Sequence, residues 1–117
     1  MAEAIKKRIA LFGSTGSIGT QALDVIAANS HLFSAEILTA QNNDELLVKQ
    51  ALQFNPNIVV IGDEKKYTKV KEALAKTHVK VFAGEKALEE VAAMDCYAER
   101  CIAGVNVVDV NKYKVKG

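Results

Sequence analysis

Two rhythms of apolar and polar positions alternate along this chain. Ile9, Ala10, Leu11 and Phe12 form an unbroken apolar run behind Lys6, Lys7 and Arg8, the pattern of a strand buried on both faces. From Ser17 the period lengthens: Ile18, Ala22, Leu23, Val25 and Ile26 recur at helical spacing and predict one apolar stripe, ended by Asn29-Ser30. Phe33 to Ala40, FSAEILTA, reads as a second strand. Asn43 or Asp44 then caps a helix whose stripe is Leu46, Leu47, Gln50, Ala51 and Phe54. Pro56 breaks that helix ahead of Ile58–Ile61, whose β-branched run between breakers predicts a third strand. Asp63 caps a helix expected from about Glu64 to Lys76. Val79 to Phe82 predicts a short strand, and Gly84 precedes a helix carrying Ala87, Leu88 and Val91.

Strands and helices that alternate with short links predict an α/β domain, with a parallel sheet and helices on both faces, since parallel strands need crossovers. At 117 residues the chain suits a single domain with its own core. No repeat, low-complexity stretch or linker divides it. A formal net charge of +1 argues against a bulk basic surface for nucleic acid, yet leaves room for a small anionic ligand held locally. The opening MAEAIKK has no signal-peptide core, and no apolar run reaches membrane-spanning length, so a cytoplasmic location is expected. Cys96 and Cys101 have no further ligands at zinc spacing, since His31 and His78 lie far off, and read as two reduced thiols.

The candidate chemistry lies in GSTGSIG, between the first strand and the first helix. Gly13, Gly16 and Gly19 are spaced by three there. A helix start offers unpaired N–H groups and the positive end of the helix dipole, both suited to phosphate. Gly13 is expected to make the tight turn out of the strand. Gly16 would keep a Cβ away from a pyrophosphate, and Gly19 would let the helix pack close against the sheet. Ser14, Thr15 and Ser17 are expected to offer hydroxyls to phosphate oxygens, Ser17 also capping the helix. A P-loop is excluded, because Gly19 is followed by Thr20-Gln21 and not by Lys-Ser/Thr. The G-x-G-x-x-G fingerprint is missed by one residue. A glycine-rich turn that binds nothing is the bland alternative, and the strand before the turn and the helix after it count against it.

About twenty residues beyond the glycines, Thr39–Asn43 (TAQNN) ends the second strand without an acid. Glu36 comes too early and Asp44 falls in the next helix. An acid at that point would hold free ribose hydroxyls and repel a 2′-phosphate, so its absence leans to NADPH. No Arg or Lys stands in the stretch itself.

IALFGSTGSIGTQALDVI, then TAQNN, then FNPNIVVIGDE closely resemble the N-terminal domain of the 1-deoxy-D-xylulose 5-phosphate reductoisomerase family. Aspartate-semialdehyde dehydrogenases and nucleotide-sugar epimerases share the glycine spacing but not the words that follow. The resemblance covers roughly Lys7 to Met94. It implies a Rossmann-like, doubly wound parallel sheet in three α/β/α layers, with residues 1–94 as the NADPH-binding domain and 95–117 as an atypical tail or a further strand of the same domain.

Enzymes of that family use NADPH and magnesium or manganese to turn 1-deoxy-D-xylulose 5-phosphate into 2-C-methyl-D-erythritol 4-phosphate, in isoprenoid synthesis, and are homodimers. By this resemblance Thr15, Gly16, Ser17 and Ile18 would contact the cofactor's phosphates, within a cofactor-binding turn made of Gly13, Ser14, Thr15, Gly16, Ser17, Ile18 and Gly19. Ala40, Gln41, Asn42 and Asn43 would surround the adenosine ribose and its 2′-phosphate. The family's metal-binding Asp-Ser-Glu string and its Asn-Lys-Glu-Ser segment do not occur here; Asn111-Lys112 imitates the second for two residues only. No catalytic or metal-binding residue is therefore expected in this chain, which by itself should be inert. A stand-alone nucleotide-binding or sensing module is the rival reading, and a scaffold with an empty cleft a weaker third.

Overall fold

A computed structural model describes residues 7–92 and 105–109. The apolar run after Arg8 is β1 (Lys7–Phe12), followed by α1 (Ser17–Ala28), β2 (Phe33–Ala40), α2 (Asp44–Phe54) and β3 (Ile58–Ile61). A single turn of 3₁₀ helix, η1 (Glu64–Lys66), leads into α3 (Tyr67–Ala73), then β4 (Lys80–Ala83), α4 (Glu85–Ala92) and β5 (Val105–Asp109). All neighbouring strands are parallel, in the order β4-β3-β2-β1-β5. The chain winds one way from β1 to β4 and then returns to the other side of β1. Such a reversal opens a crevice at the carboxyl ends of the strands, beside β1.

Two cores flank the sheet. Ile9, Leu11, Leu38, Val59 and Ile61 pack with Leu23 and Ile26 of α1, Leu47 and Ala51 of α2, and Val70 of α3. Ala10, Phe12, Ile37 and Val60 point the other way and pack with Val91 of α4. Period-two alternation in β1 thus feeds both layers, which is why its apolar run is unbroken. The α/β/α layering is the doubly wound arrangement that the alternation predicts. In β2 a register shift opposite Ile9/Ala10 leaves Glu36 unpaired as a bulge. Its backbone oxygen accepts from the Asn57 N–H at 2.8 Å instead, which ties the foot of β2 to the start of β3.

Three local expectations need correction. In α1 only Gly19, Leu23 and Ile26 are buried; Val25 is 55% exposed and Ile18 38%. Val25 lies two positions past Leu23, about 200° around the helix, so it faces away from the sheet. The helix expected over Glu64–Lys76 is a 3₁₀ turn and a shorter α3. The Thr77 hydroxyl donates to the Leu74 carbonyl at 2.7 Å and the Val79 N–H to that hydroxyl at 3.1 Å, which turns the chain before Lys76 can extend the helix. The fourth strand is Lys80–Ala83, one residue later than read. α2 ends as Pro56 requires, with Asn55 in the left-handed conformation (φ 54°). Cys96, Cys101 and Asn111-Lys112 lie outside the described residues, as does all of the tail except β5.

Candidate functional site: the glycine turn and the end of the second strand

β1 leaves the sheet at Gly13, whose φ of 85° is open to glycine at little cost. The N–H groups of Gly13 and Ser14 both donate to the Thr39 carbonyl, at 3.1 and 2.8 Å, and Gly13 N–H also reaches Thr39 Oγ1 at 3.1 Å. The turn is thereby fastened to the end of β2. Gly19 completes it from the helix side. A Cβ built there would lie 2.1 Å from the Gly13 carbonyl oxygen and 2.7 Å from Ser14 Cα, so only glycine lets α1 approach the turn. The close approach is to the turn's own backbone.

Gly16 differs. It is exposed, has φ −78°, and a Cβ built there would meet only the Gly13 oxygen, at 3.7 Å. It stands at the N-cap of α1, with no side-chain cap and no acidic residue in the first turn. The first N–H groups of the helix, on Ser17, Ile18 and Gly19, have no carbonyl one turn back within the helix. The arrangement suits an oxyanion.

Two sequence expectations fail here. Ser14 is fully buried, and its hydroxyl donates to Gln50 Oε1 at 2.7 Å while Gln50 Nε2 donates to the Ser14 carbonyl at 2.9 Å. With its N–H on Thr39 as well, Ser14 is a structural clamp between the turn and α2, with no hydroxyl to offer a phosphate. Gln50, read as part of an apolar stripe, is the other half of that clamp. Ser17 does not cap α1, because it is already the first helical residue and Gly16 occupies the cap. Thr15, Gly16, Ser17 and Ile18 remain at the surface of the turn.

The structure brings Ala40, Gln41, Asn42 and Asn43 next to this turn, because Thr39 fastens the two. Ala40 is buried, while Gln41, Asn42 and Asn43 are exposed. The Gln41 side chain lies over Gly62 at the end of β3, where an added Cβ would come within 2.6 Å of Nε2. Asn43 caps α2, its Oδ1 accepting from the Leu46 N–H at 3.1 Å. Its amide N–H groups are left as donors.

Sequence reasoning missed two lysines. Lys66, at the end of η1, donates from Nζ to the Asn42 carbonyl at 2.7 Å and pairs with Asp44 Oδ1 at 3.3 Å; Lys69 of α3 pairs with Asp44 Oδ2 at 3.2 Å. Asp44 is buried, which raises its carboxyl pKa, but hydrogen bonds from Lys69 and then Lys66 outweigh this and hold it below the ordinary 3.8. The only signal in the sequence was the run Glu64-Lys65-Lys66 directly after the third strand, a neighbour of the second. Among the described residues no group of three His, Cys, Asp or Glu side chains could hold a metal ion, and no helix is long and apolar enough to cross a membrane.

Comparison with known proteins places these features in a family. The family model described as 1-deoxy-D-xylulose 5-phosphate reductoisomerase matches residues 9–108. The protein of that name from Porphyromonas gingivalis is 50% identical over 86 residues, 74% of this chain and 22% of its own length. The one from Phocaeicola vulgatus is 53% identical over 87 residues, 74% of this chain and 23% of its own length. A solved structure of the Zymomonas mobilis reductoisomerase, described as a complex with NADPH, superposes with a TM-score of 0.75 at 37% identity, covering 78% of this chain and 24% of that one. Another, described as a complex with fosmidomycin and magnesium, has a TM-score of 0.73 at 22% identity, which bears on the fold alone. The chain thus spans under a quarter of the length of these relatives.

Proposed function

This chain belongs to the 1-deoxy-D-xylulose 5-phosphate reductoisomerase family, and from that premise we propose that it forms the NADPH-binding part of an enzyme that converts 1-deoxy-D-xylulose 5-phosphate into 2-C-methyl-D-erythritol 4-phosphate. The observation that carries the reading is the start of α1. A helix terminus with no side-chain cap and no acid in its first turn begins at a glycine whose Cβ position is open, and the Zymomonas mobilis relative that superposes on this chain is described with NADPH. Family membership disfavours a module with no enzyme around it.

The residues present fit a dinucleotide. The N–H groups of Ser17, Ile18 and Gly19, with the Thr15 and Ser17 hydroxyls, would hold the pyrophosphate, and the bare Gly16 would allow it to sit against backbone. The exposed Ile18 would shield one edge of the dinucleotide from water. Gly13 and Ser14 shape the turn from inside. Ala40, Gln41, Asn42 and Asn43 would enclose the adenosine ribose, with amide donors and no carboxylate at the strand end. When bound, NADPH supplies the hydride; the part of this chain is to bind and orient it.

The sugar-phosphate substrate, a divalent cation, a homodimer and a cytoplasmic location belong to the proposal for the complete enzyme. The described residues do not fit the cation. We take residues 1–94 as the nucleotide-binding domain and 95–117 as an atypical tail, from which Val105–Asp109 adds a strand to the same sheet.

Calorimetric titration tests the reading. The 117-residue chain should bind NADPH more tightly than NADH. Equal or stronger binding of NADH, or no binding of either, would overturn it.

A further inference from the structure

The loop after β2 has no cation of its own, yet the second strand's end is where a dinucleotide places its adenosine ribose. The fold delivers a cation there from a different element. Lys66 Nζ donates to the Asn42 carbonyl at 2.7 Å and to Asp44 Oδ1 at 3.3 Å, so the ammonium is held against the backbone of the loop. An ammonium has three protons, and these two contacts leave one. The Lys66 side chain is 36% exposed, enough to meet a ligand and shielded enough that its field is not fully screened.

The charges around it favour an incoming anion. Among the described residues Asp44 is the one acid paired with Lys66, and Lys69 pairs with its other oxygen at 3.2 Å. Two ammoniums therefore face one carboxylate. Asp63, the acid at the end of β3, accepts from the Lys65 N–H at 3.0 Å as the cap of η1. Lys69 is 66% exposed, and among the described residues it pairs with Asp44 alone.

We propose that Lys66 determines cofactor specificity, by engaging the 2′-phosphate of NADPH from η1, and that Asp44 is a positioning residue that holds its ammonium at the loop. The inference rests on the NADPH reading and adds to it the residue that makes the distinction between NADPH and NADH. A lysine that only stapled η1 to the start of α2 would serve both nucleotides alike, because both use the same loop.

The test is calorimetric titration of NADPH and NADH against the 117-residue chain, Lys66→Gln and Lys66→Arg, with circular dichroism to confirm that each variant is folded. Lys66→Gln should weaken NADPH by about tenfold or more, the scale of one charge-assisted hydrogen bond, and leave NADH unchanged. Lys66→Arg should keep most of the preference. In the parent chain, raising salt should erode the affinity for NADPH more than that for NADH, a measurement that needs no variant. Equal losses for both nucleotides, or no loss for either, would overturn the role of Lys66 while leaving NADPH binding intact. A parent chain that binds neither nucleotide would overturn the cofactor reading, and this inference with it.

Discussion

Gly19 tolerates no methyl group, because the atoms its Cβ would strike are backbone atoms of the turn it leans on, 2.1 and 2.7 Å away. Gly19→Ala should therefore cost at least about 2–3 kcal/mol of folding stability, since α1 must move off the turn; urea denaturation measures it. Gly16→Val is the opposite case. Its φ of −78° suits any residue and its Cβ position is open, so stability should fall by about 1 kcal/mol at most. NADPH binding, followed by titration, should disappear. A folded Gly16→Val chain that binds as the parent does would refute the phosphate role of the turn. The glycine spacing was legible in the sequence, and so was the need for a bare Gly19 where the helix packs close. The role of Ser14 was not. A serine between two glycines looks like a phosphate donor until Gln50, thirty-six positions along the chain, is folded against it. Ser14→Ala should leave the Gln50 oxygen buried without its donor and lower stability by about 1–3 kcal/mol, read from the same urea experiment.

At the scale of elements, capping and breaking residues were the dependable signals. Asn43 does cap α2, and Pro56 follows its end. Stripes were less dependable: Val25 satisfies hydrophobicity but not angle, and only the position of the sheet decides which neighbours of Leu23 are covered. Contacts between η1 and α2 could not be read at all, because Lys66 and Asp44 meet only when β2 and β3 lie side by side. That junction has a pH signature. Asp44 has its carboxyl below the ordinary 3.8 in the folded chain, so its ion pairs add stability above that value and lose it as the pH falls below about 4. Asp44→Asn should flatten the acid limb of the stability profile below about pH 4 and leave the shape above pH 6 unchanged. Urea unfolding at stepped pH provides the comparison.

For the whole molecule, the alternation of rhythms was enough for the parallel sheet and its two covered faces, since the unbroken apolar runs of β1 and β3 had to be covered on both sides. The activity proposed for the complete enzyme needs a divalent-cation site, for which the described residues offer no group of ligands. The chemistry moves a carbon–carbon bond and then delivers hydride, and needs the substrate fixed at near-contact distance from the nicotinamide. The 117-residue chain, given 1-deoxy-D-xylulose 5-phosphate, NADPH and manganese, should oxidise no NADPH above a protein-free control at 340 nm. Turnover that scales with protein and stops with a chelator would contradict this. The strand order carries a consequence for how such a chain is made. β1 and one of its partners, β5, are far apart in the chain: Arg8 pairs with Val105, so β5 is translated well after the other four strands. During synthesis the four-stranded half β4-β3-β2-β1 can form early, with the hydrogen-bonding edge of β1 open beside the glycine turn. Closing that edge means bringing together segments as far apart in sequence as Arg8 and Val105, the slow and entropically costly kind of contact. The strand that anchors the glycine turn thus precedes the other four in synthesis and is enclosed after them, and until then it keeps one edge open to pairing with other chains.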